Sequence, residues 1–253
     1  MIRVWGAGLV LLLALSVPVA GKDAGNLALA SGARIGVVNL LDPEVTHFHA
    51  AKEIQASFLR TYTVNWSVAA MLSEALKEPI GQLGLVLVAL GIPDSLDRSR
   101  EGCFLRGSFG RGLPKECGAP FAELAAAEHV DAIIVLGPGL NNNAHAGSAR
   151  RRDLPDYLRG WGFVTNNEAA ATRARPPELF NMTEMLLIGV SANGPSLRGR
   201  EWGGSYSLEW TAFAPPADPK AVPPEQLDEL RPLFAGILAR QAKRLLEQLD
   251  VAK

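Results

Sequence analysis

The sequence lacks an uninterrupted apolar run of the roughly 20 residues that a membrane-spanning helix needs. Its most apolar stretch, residues 4–15, follows Arg3 and leads through Pro18 to the small residues Ala20 and Gly21. A single basic residue, a short apolar stretch and small residues form the pattern of a secretory signal peptide. We therefore expect residues 1–21 to be a cleaved signal peptide, the mature chain to be periplasmic, and no integral membrane span to remain after cleavage.

The sequence also lacks an excess of charge of either sign. Lys and Arg total 25 while Asp and Glu total 26, which leaves a net charge of −1 at pH 7. Proteins that bind nucleic acid usually carry a strongly basic surface, so no nucleic acid partner is expected. The chain after the signal is long enough for one well-buried core and short for two. Residues 22–253 are predicted to form a single domain.

Cysteine is scarce, with only Cys103 and Cys117 in the chain. In an exported protein two nearby cysteines usually pair, and closing a loop of this size stabilises the fold by about 3 kcal/mol. Redox-active cysteine pairs are separated by only two residues, which disfavours a redox or metal-binding role here. We predict a structural disulfide that closes the loop 103–117.

Strand-like and helix-like segments alternate along the first half of the chain, which predicts an α/β (α+β) fold. The predicted strands are residues 34–41, 58–64, 83–92, 132–140 and 157–164, and the predicted helices are residues 65–78, with Asn65 as cap, and 120–130. Residues 185–194 and 203–213 are predicted to form a late antiparallel pair joined by a turn at residues 193–199. The expected architecture is a single mixed sheet with helices packed on it.

The last segment is predicted to be a long amphipathic helix that packs on the sheet. Pro224 suits a first-turn position, whereas Pro232 must kink the helix or start a new one. The residues of its apolar face are Leu227, Leu230, Phe234, Ile237, Leu238, Gln241, Leu245 and Leu249.

The run DPEVTHFHAA, residues 42–51, holds two of the four histidines of the chain. If this run is extended, His47 and His49 point to the same side and are able to reach one ion. A zinc site needs further protein ligands, and neither Asp42 nor Glu44 has a suitable position in a single strand. The simpler interpretation is that the histidines shape and hydrogen-bond the loop after the first strand. We expect no cofactor, with zinc on His47 and His49 as the alternative.

The same run lies where ligands usually bind in an open α/β sheet. Parallel strands place their carboxyl ends along one crevice, and both the run THFH and the run GPGLNNNAH follow predicted strands. If these strands are neighbours, one polar rim forms. Its candidate binding residues are His47, His49, Asn141, Asn142, Asn143 and His145.

Signals for catalysis are few. A serine hydrolase needs the motif G-x-S-x-G between a strand and a helix, but Asn193 stands where the second glycine is required after Ser191. No phosphate-binding G-K-[ST] motif occurs either. We therefore assign no catalytic residue, and the sequence favours a protein that is not an enzyme without deciding the point.

The chain resembles bacterial envelope proteins that share the TolB amino-terminal and curli-secretion lipoprotein type of α/β domain. The resemblance rests on RIGVVNLLD, NWSVAAMLSEAL, FAELAAAEHVDAIIVLGPG, YLRGWGFV and MLLIGVSANGPSLRGREW. The chain departs from this group because it lacks the lipidated cysteine and carries the loop 103–117. The resemblance implies an assembly or accessory factor without enzymatic chemistry and with an envelope protein partner.

Taken together, these features predict a periplasmic, non-enzymatic envelope accessory or binding factor. Two alternatives stay open. One is a metal-dependent hydrolase or metal-binding protein centred on His47 and His49. The other is a small-solute binding protein that uses the crevice beside Asn141, Asn142 and Asn143.

Overall fold

The computed structural model describes residues 27–51, 54–92, 96, 113, 115–139, 158–166, 176–203 and 208–251. A nine-stranded mixed sheet with helices packed on it confirms the predicted α/β class. The predicted signal peptide, Cys103, Asn141, Asn142, Asn143 and His145 lie outside the described residues, and what rests on them stays a prediction. Cys117 is buried near the start of a helix. Within the described ranges, no helix is both long and apolar enough to cross a membrane.

The elements follow in an order close to the predicted one. The strands are β1 Leu27–Leu29, β2 Arg34–Asn39, β3 Glu44–Ala50, β4 Phe58–Thr63, β5 Val86–Ala89, β6 Ala132–Pro138, β7 Gly160–Asn166, β8 Glu178–Ser191, β9 Gly194–Trp202, β10 Leu208–Glu209 and β11 Leu249–Val251. The helices are α1 Val68–Gln82, α2 Lys115–Glu128, α3 Pro224–Asp228 and α4 Leu230–Leu246, with a short 3₁₀ turn at Ile54–Ala56.

The nine-stranded sheet consists of two half-sheets that share β8. The strand order is β4-β3-β7-β8-β6-β2-β5, with β9 and β10 also paired to β8. The first half-sheet contains β5, β2, β6, β9 and the carboxyl half of β8, whereas the second contains β4, β3, β7, β10 and the amino half of β8. The two halves meet where Pro138 lies opposite Thr183 and Gly160 lies opposite Met182. We call this junction the seam.

Parallel pairing occurs on both sides of the seam. Strand β2 runs parallel to β6, as required for the predicted crevice, and β3 runs parallel to β7. The chain passes from β2 to β3 through residues 40–43, so it crosses the seam without leaving the sheet. The carboxyl ends of β2 and β6 therefore face the seam rather than open solvent beyond the sheet edge.

The main core lies between one face of the sheet and helices α1 and α4. Its centre is an aromatic group in which the Phe234 ring lies 4.7 Å from Trp161 and the Trp161 ring lies 5.6 Å from Trp66. A second core on the opposite face holds α2 through Phe121 and Leu124. Residues on β6 alternate between the two cores, which explains why its sequence is continuously apolar.

The predicted apolar face of the last helix is confirmed from Leu227 to Leu245, whose members are all buried. Gln241 belongs to that face because its side chain accepts a hydrogen bond from Thr183 and donates one to the Glu201 carbonyl. Pro232 lies in the first turn of a new helix, which is one of the two predicted outcomes. Helix α3 ends before Glu229, and α4 begins at Leu230. The prediction was wrong for Leu249, which belongs to strand β11 and not to the helix.

Three other predictions were wrong in detail. The run THFH belongs to strand β3 rather than to a loop, because β4 and β7 pair with it on both sides. Helix α1 is capped by Ser67, whose side chain accepts from the Ala70 amide, and it continues past Pro79 to Gln82. Residues 194–199 belong to strand β9, and the hairpin turn is residues 192–193.

Gly162 on β7 lies where no side chain fits. A Cβ atom there would press on the backbone carbonyl of Thr46 and lie 2.5 Å from the Phe180 ring. Because a carbonyl in the β3–β7 ladder moves only with its strand, Gly162→Ala is expected to cost about 1–3 kcal/mol of unfolding free energy. Chemical denaturation measures this cost. Gly81→Ala is the control, since nothing lies within 4 Å of a Cβ there; equal stability of both variants would contradict the prediction.

Candidate functional site

The two histidines of β3 meet at one hydroxyl group inside the second half-sheet. Both rings are buried, with 1% of His47 and 5% of His49 exposed. His47 Nε2 lies 2.6 Å and His49 Nδ1 lies 2.7 Å from Thr165 Oγ1 on the neighbouring strand β7. The sequence-based expectation that the histidines share one side is therefore confirmed.

The hydrogen bonds of this group form a directed chain. The Tyr62 hydroxyl donates to the Lys220 carbonyl at 3.0 Å, so it is available to accept from His47 Nδ1 at 3.5 Å. If Nδ1 carries the proton, His47 Nε2 accepts from the Thr165 hydroxyl, which then accepts from His49 Nδ1. In this arrangement the Thr165 hydroxyl is a complementary hydrogen-bond partner for both His47 Nε2 and His49 Nδ1. It also ties β3 and β7 to β4 and to the segment around Lys220.

The environment keeps His47 uncharged. Its ring stacks on Phe163 at 4.4 Å and meets Phe58 edge-on at 5.1 Å. Burial, assisted by the nearby His49, lowers the pKa of His47 from 6.5 to about 3. Burial likewise raises the pKa of the Tyr62 hydroxyl. A histidine of such low basicity is poorly matched to general base catalysis near neutral pH.

The geometry does not favour the zinc alternative. The two nitrogens that would bind an ion converge on Thr165 Oγ1, which occupies the point between them. Among the residues that the structure describes, no three His, Cys, Asp or Glu side chains form a group able to hold a metal. His129, another histidine of the chain, lies at the end of α2, where its carbonyl accepts from Arg34. His145 lies outside the described residues.

A pocket of about 210 Å³ lies at the seam, which we call the seam pocket. It forms where the β2–β6 ladder has ended at Asn39 and the β3–β7 ladder has not yet begun at Thr46. The pocket lies at the carboxyl ends of β2 and β6, but neither His47 nor His49 of the predicted rim lines it. Its walls are formed by Leu40, Leu41, Pro138, Gly160 and Trp161, together with three charged residues.

The charged residues of the seam pocket come from two separate parts of the chain. Asp42 belongs to the crossing from β2 to β3, Glu44 is the first residue of β3, and Arg159 precedes β7. The Trp161 indole donates to the Glu44 carbonyl at 2.8 Å, which joins these two parts. Asp42 and Glu44 lie in the histidine-containing run, but they face a different site from His47 and His49.

Sequence reasoning missed Thr165, Arg159 and Trp161 as site residues. Arg159 follows the arginine-rich residues 150–152 and has no feature that marks it as a site residue, and Thr165 has no feature that separates it from other strand threonines. Trp161 offered the best signal, since it is an aromatic residue next to two glycines in a predicted strand. Their proximity to β3 follows from the β3–β7 pairing, which the local pattern does not encode.

A second buried titratable group lies on β8. Glu184 is fully buried and contacts Arg200 of β9, whose guanidinium lies 5.3 Å above the Trp202 ring. Burial raises the pKa of Glu184 to about 7, although Arg200 acts in the opposite direction. Glu184 therefore changes charge near neutral pH.

No family model, curated protein or solved structure matches the chain. The resemblance to the TolB amino-terminal type of domain accordingly stays a sequence-based expectation. What can be said of function rests on the seam pocket and on the histidine group.

Proposed function

We propose that the protein is an exported, non-catalytic binding factor of the cell envelope that holds a small polar solute in the seam pocket. The observation that supports this proposal is the position of the pocket at the carboxyl ends of the parallel strands β2 and β6. Open α/β sheets bind their ligands at this position because neighbouring strands diverge there and leave a crevice. The charged residues at the pocket suit a polar ligand.

The composition of the pocket supports binding rather than chemistry. Among the described residues that line it there is no Cys, Ser, Thr or His, which are side chains commonly activated as nucleophiles. The buried histidines lie elsewhere, and their hydrogen bonds join strands. A metal-dependent protein centred on His47 and His49 remains the alternative, with the oxygen of Thr165 between the two nitrogens as the observation against it.

Solute binding is tested by ligand-observed NMR on the purified mature protein with mixtures of amino acids, organic acids, sugars and nucleosides. We expect at least one solute to show saturation transfer and to raise the melting temperature. Glu44→Trp should abolish both effects, because an indole at the edge of the pocket occupies part of its volume.

Thr61→Trp is the matched control, since Thr61 is exposed on the edge strand β4 and does not line the pocket. Binding that survives Glu44→Trp would place the solute elsewhere. If no solute binds, the seam pocket is not a ligand site, and an assembly role with an envelope protein partner becomes the better hypothesis. Mass determination of the secreted chain tests export separately, with residue 21 or 22 expected at the mature amino terminus.

A further inference from the structure

We propose that the outer edge of strand β4 is a docking site for an extended acidic segment of another protein, which adds to the sheet as a further strand. This site is separate from the seam pocket, so the proposal goes beyond the proposed function. Three features of β4 carry it: backbone groups that point away from the sheet, cations beside them on one face, and an exposed apolar side chain on the other face.

Half of the backbone groups of β4 point away from the sheet. Strand β4 is the first in the order of the nine-stranded sheet, and within the described ranges β3 alone pairs with it. The Val64 amide donates to the Pro43 carbonyl at 2.9 Å, and hydrogen-bonded pairs alternate along an antiparallel ladder, so every second residue back from Val64 bonds toward β3. The residues between them direct their amides and carbonyls outward: Leu59, Thr61 and Thr63. All three are exposed, and open strand edges of this kind pair readily with another chain.

A pair of cations lies on one face of this edge. The Arg60 guanidinium lies 5.4 Å from the centre of the Tyr62 ring, and the Lys220 ammonium lies 5.3 Å from the centre of the Phe58 ring. Neither cation makes an ion pair with a carboxylate in the described part of the chain. Asp218 lies nearby, where its carboxylate accepts from the Lys220 amide at 2.9 Å, so this group of two cations and one anion keeps a charge of +1. A carboxylate on an added strand meets this positive charge at the edge.

The opposite face of the edge carries an exposed apolar side chain. Leu59, which is 45% exposed, lies opposite Phe48 of β3, and Phe48 belongs to a buried apolar cluster on that face. Glu44, opposite Thr63, also lies on that face and disfavours acidic residues there. Because successive side chains of a strand point to opposite faces, a segment in which acidic and apolar residues alternate satisfies both faces at once.

A second copy of this chain fits the edge less well than an acidic segment does. Strand β4 contains Arg60 and no acidic residue. Two antiparallel β4 strands would bring Arg60 and Lys220 of both copies onto one face, and like charges close to each other across strands are destabilising. Strand β5, at the other end of the strand order, contains no charged residue, so its sequence does not indicate the chemistry of a partner.

The test uses a heptapeptide in which valine alternates with glutamate, added to the isotope-labelled mature protein. In hydrogen exchange followed by NMR, we expect the amides of Leu59, Thr61 and Thr63 to exchange about tenfold more slowly with saturating peptide, because they then donate to it. The amides of Arg60 and Tyr62 already bond to β3 and should not change. A version with lysine in place of glutamate should bind about tenfold more weakly. N-methylation of the valines or of the glutamates should abolish binding in one case only, since alternate amides of a strand face its neighbour.

Thr61→Pro removes one outward amide without breaking a bond to β3, and proline is tolerated on an edge strand. It should weaken peptide binding about tenfold. Ala89→Pro is the matched control and should leave binding unchanged. Ala89 is exposed on the other edge strand β5, and its amide points away from β2 because the next amide, that of Leu90, donates to the Val37 carbonyl. Circular dichroism and melting temperature establish that both variants are folded, and the N-methylated peptides give the same test on the wild type.

Three results would overturn the proposal. Equal binding of the glutamate and lysine peptides would mean that charge is not recognised, and binding that survives both N-methylations would mean that no strand is added. Absence of binding by every peptide would mean that Arg60 only protects the edge from pairing. A dimer in sedimentation velocity that Thr61→Pro dissociates would identify a second copy as the occupant and likewise exclude the acidic partner.

Discussion

The Glu184→Gln protein is expected to lose about 2 kcal/mol more unfolding free energy than the wild type when the pH falls from 6.5 to 4.5. The reason is that the titrations of two buried groups, His47 and Glu184, change the unfolding free energy in opposite directions over this pH range. The pKa of His47 falls on folding from 6.5 to about 3, and that of Glu184 rises from 4.5 to about 7. A difference of one bound proton changes the unfolding free energy by about 1.4 kcal/mol per pH unit.

The signs of the two effects follow from which state binds the extra proton. Below pH 6.5 the unfolded chain protonates His47 and the folded chain does not, so stability falls as the pH falls toward 3. Between pH 4.5 and 7 the folded chain holds the proton of Glu184 and the unfolded chain has lost it, so stability falls as the pH rises. In the wild type the two slopes cancel between pH 4.5 and 6.5, and Glu184→Gln leaves the His47 slope alone.

The variant His47→Gln is expected to show the opposite dependence of unfolding free energy on pH. His47→Gln keeps an amide that is able to hydrogen-bond but does not titrate, so its unfolding free energy should rise by about 2 kcal/mol relative to that of the wild type as the pH falls from 6.5 to 4.5. Urea denaturation at four pH values between 4.5 and 6.5 measures both differences. His129→Asn, which alters an exposed histidine at a φ of +52°, is the control and should follow the wild type. Parallel curves for all four proteins would show that neither group changes its pKa on folding.

Phe234→Ala is expected to cost about 3–5 kcal/mol and to lower the melting temperature by about 10 °C. The Phe234 ring is fully buried between α4 and the sheet, 4.7 Å from Trp161 and 6.3 Å from Trp66. Removing it leaves a cavity beside two large rings that cannot close around it. Their fluorescence should shift to longer wavelength as the packing loosens, which provides a readout independent of melting.

Arg231→Ala is the control for this substitution, because it changes an exposed position of the same helix to the same residue. We expect it to alter stability by no more than about 0.5 kcal/mol. A loss below about 1 kcal/mol in Phe234→Ala would mean that α4 contributes little to the core.

The elements predicted best from the sequence are those whose local pattern agrees with their final surroundings. Strand β6 is continuously apolar because both of its faces are covered, and the apolar stripe of α4 matches its buried face. Residues 58–64 were predicted to form a strand, and they contain the edge strand β4, in which Tyr62 is more buried than Thr61 and Thr63. In these cases the periodicity of the sequence and the packing of the fold carry the same information.

The predictions failed where distant strands decide the structure. The polar run around His47 resembles a loop, yet pairing with β4 and β7 makes it an inner strand. Residues 194–199 contain the glycine, proline and serine typical of a turn, but β8 holds them in a strand. The crevice at the ends of β2 and β6 was predicted with other lining residues, because the approach of Trp161 to Glu44 depends on a contact between segments more than a hundred residues apart.

The dependence of both half-sheets on β8 has a consequence for how the chain folds. Strands β2 to β7 are all synthesised before β8, yet the half-sheets have no shared strand until residues 178–191 are available. Contacts of such long sequence separation carry a high loop-closure cost and slow the search for the native state. Until β8 is available to pair, the chain exposes apolar surface and unpaired strand edges, which makes it prone to aggregation. The yield of folded protein is thus expected to depend on protection of the chain before β8 has paired, as well as on the stability of the finished fold.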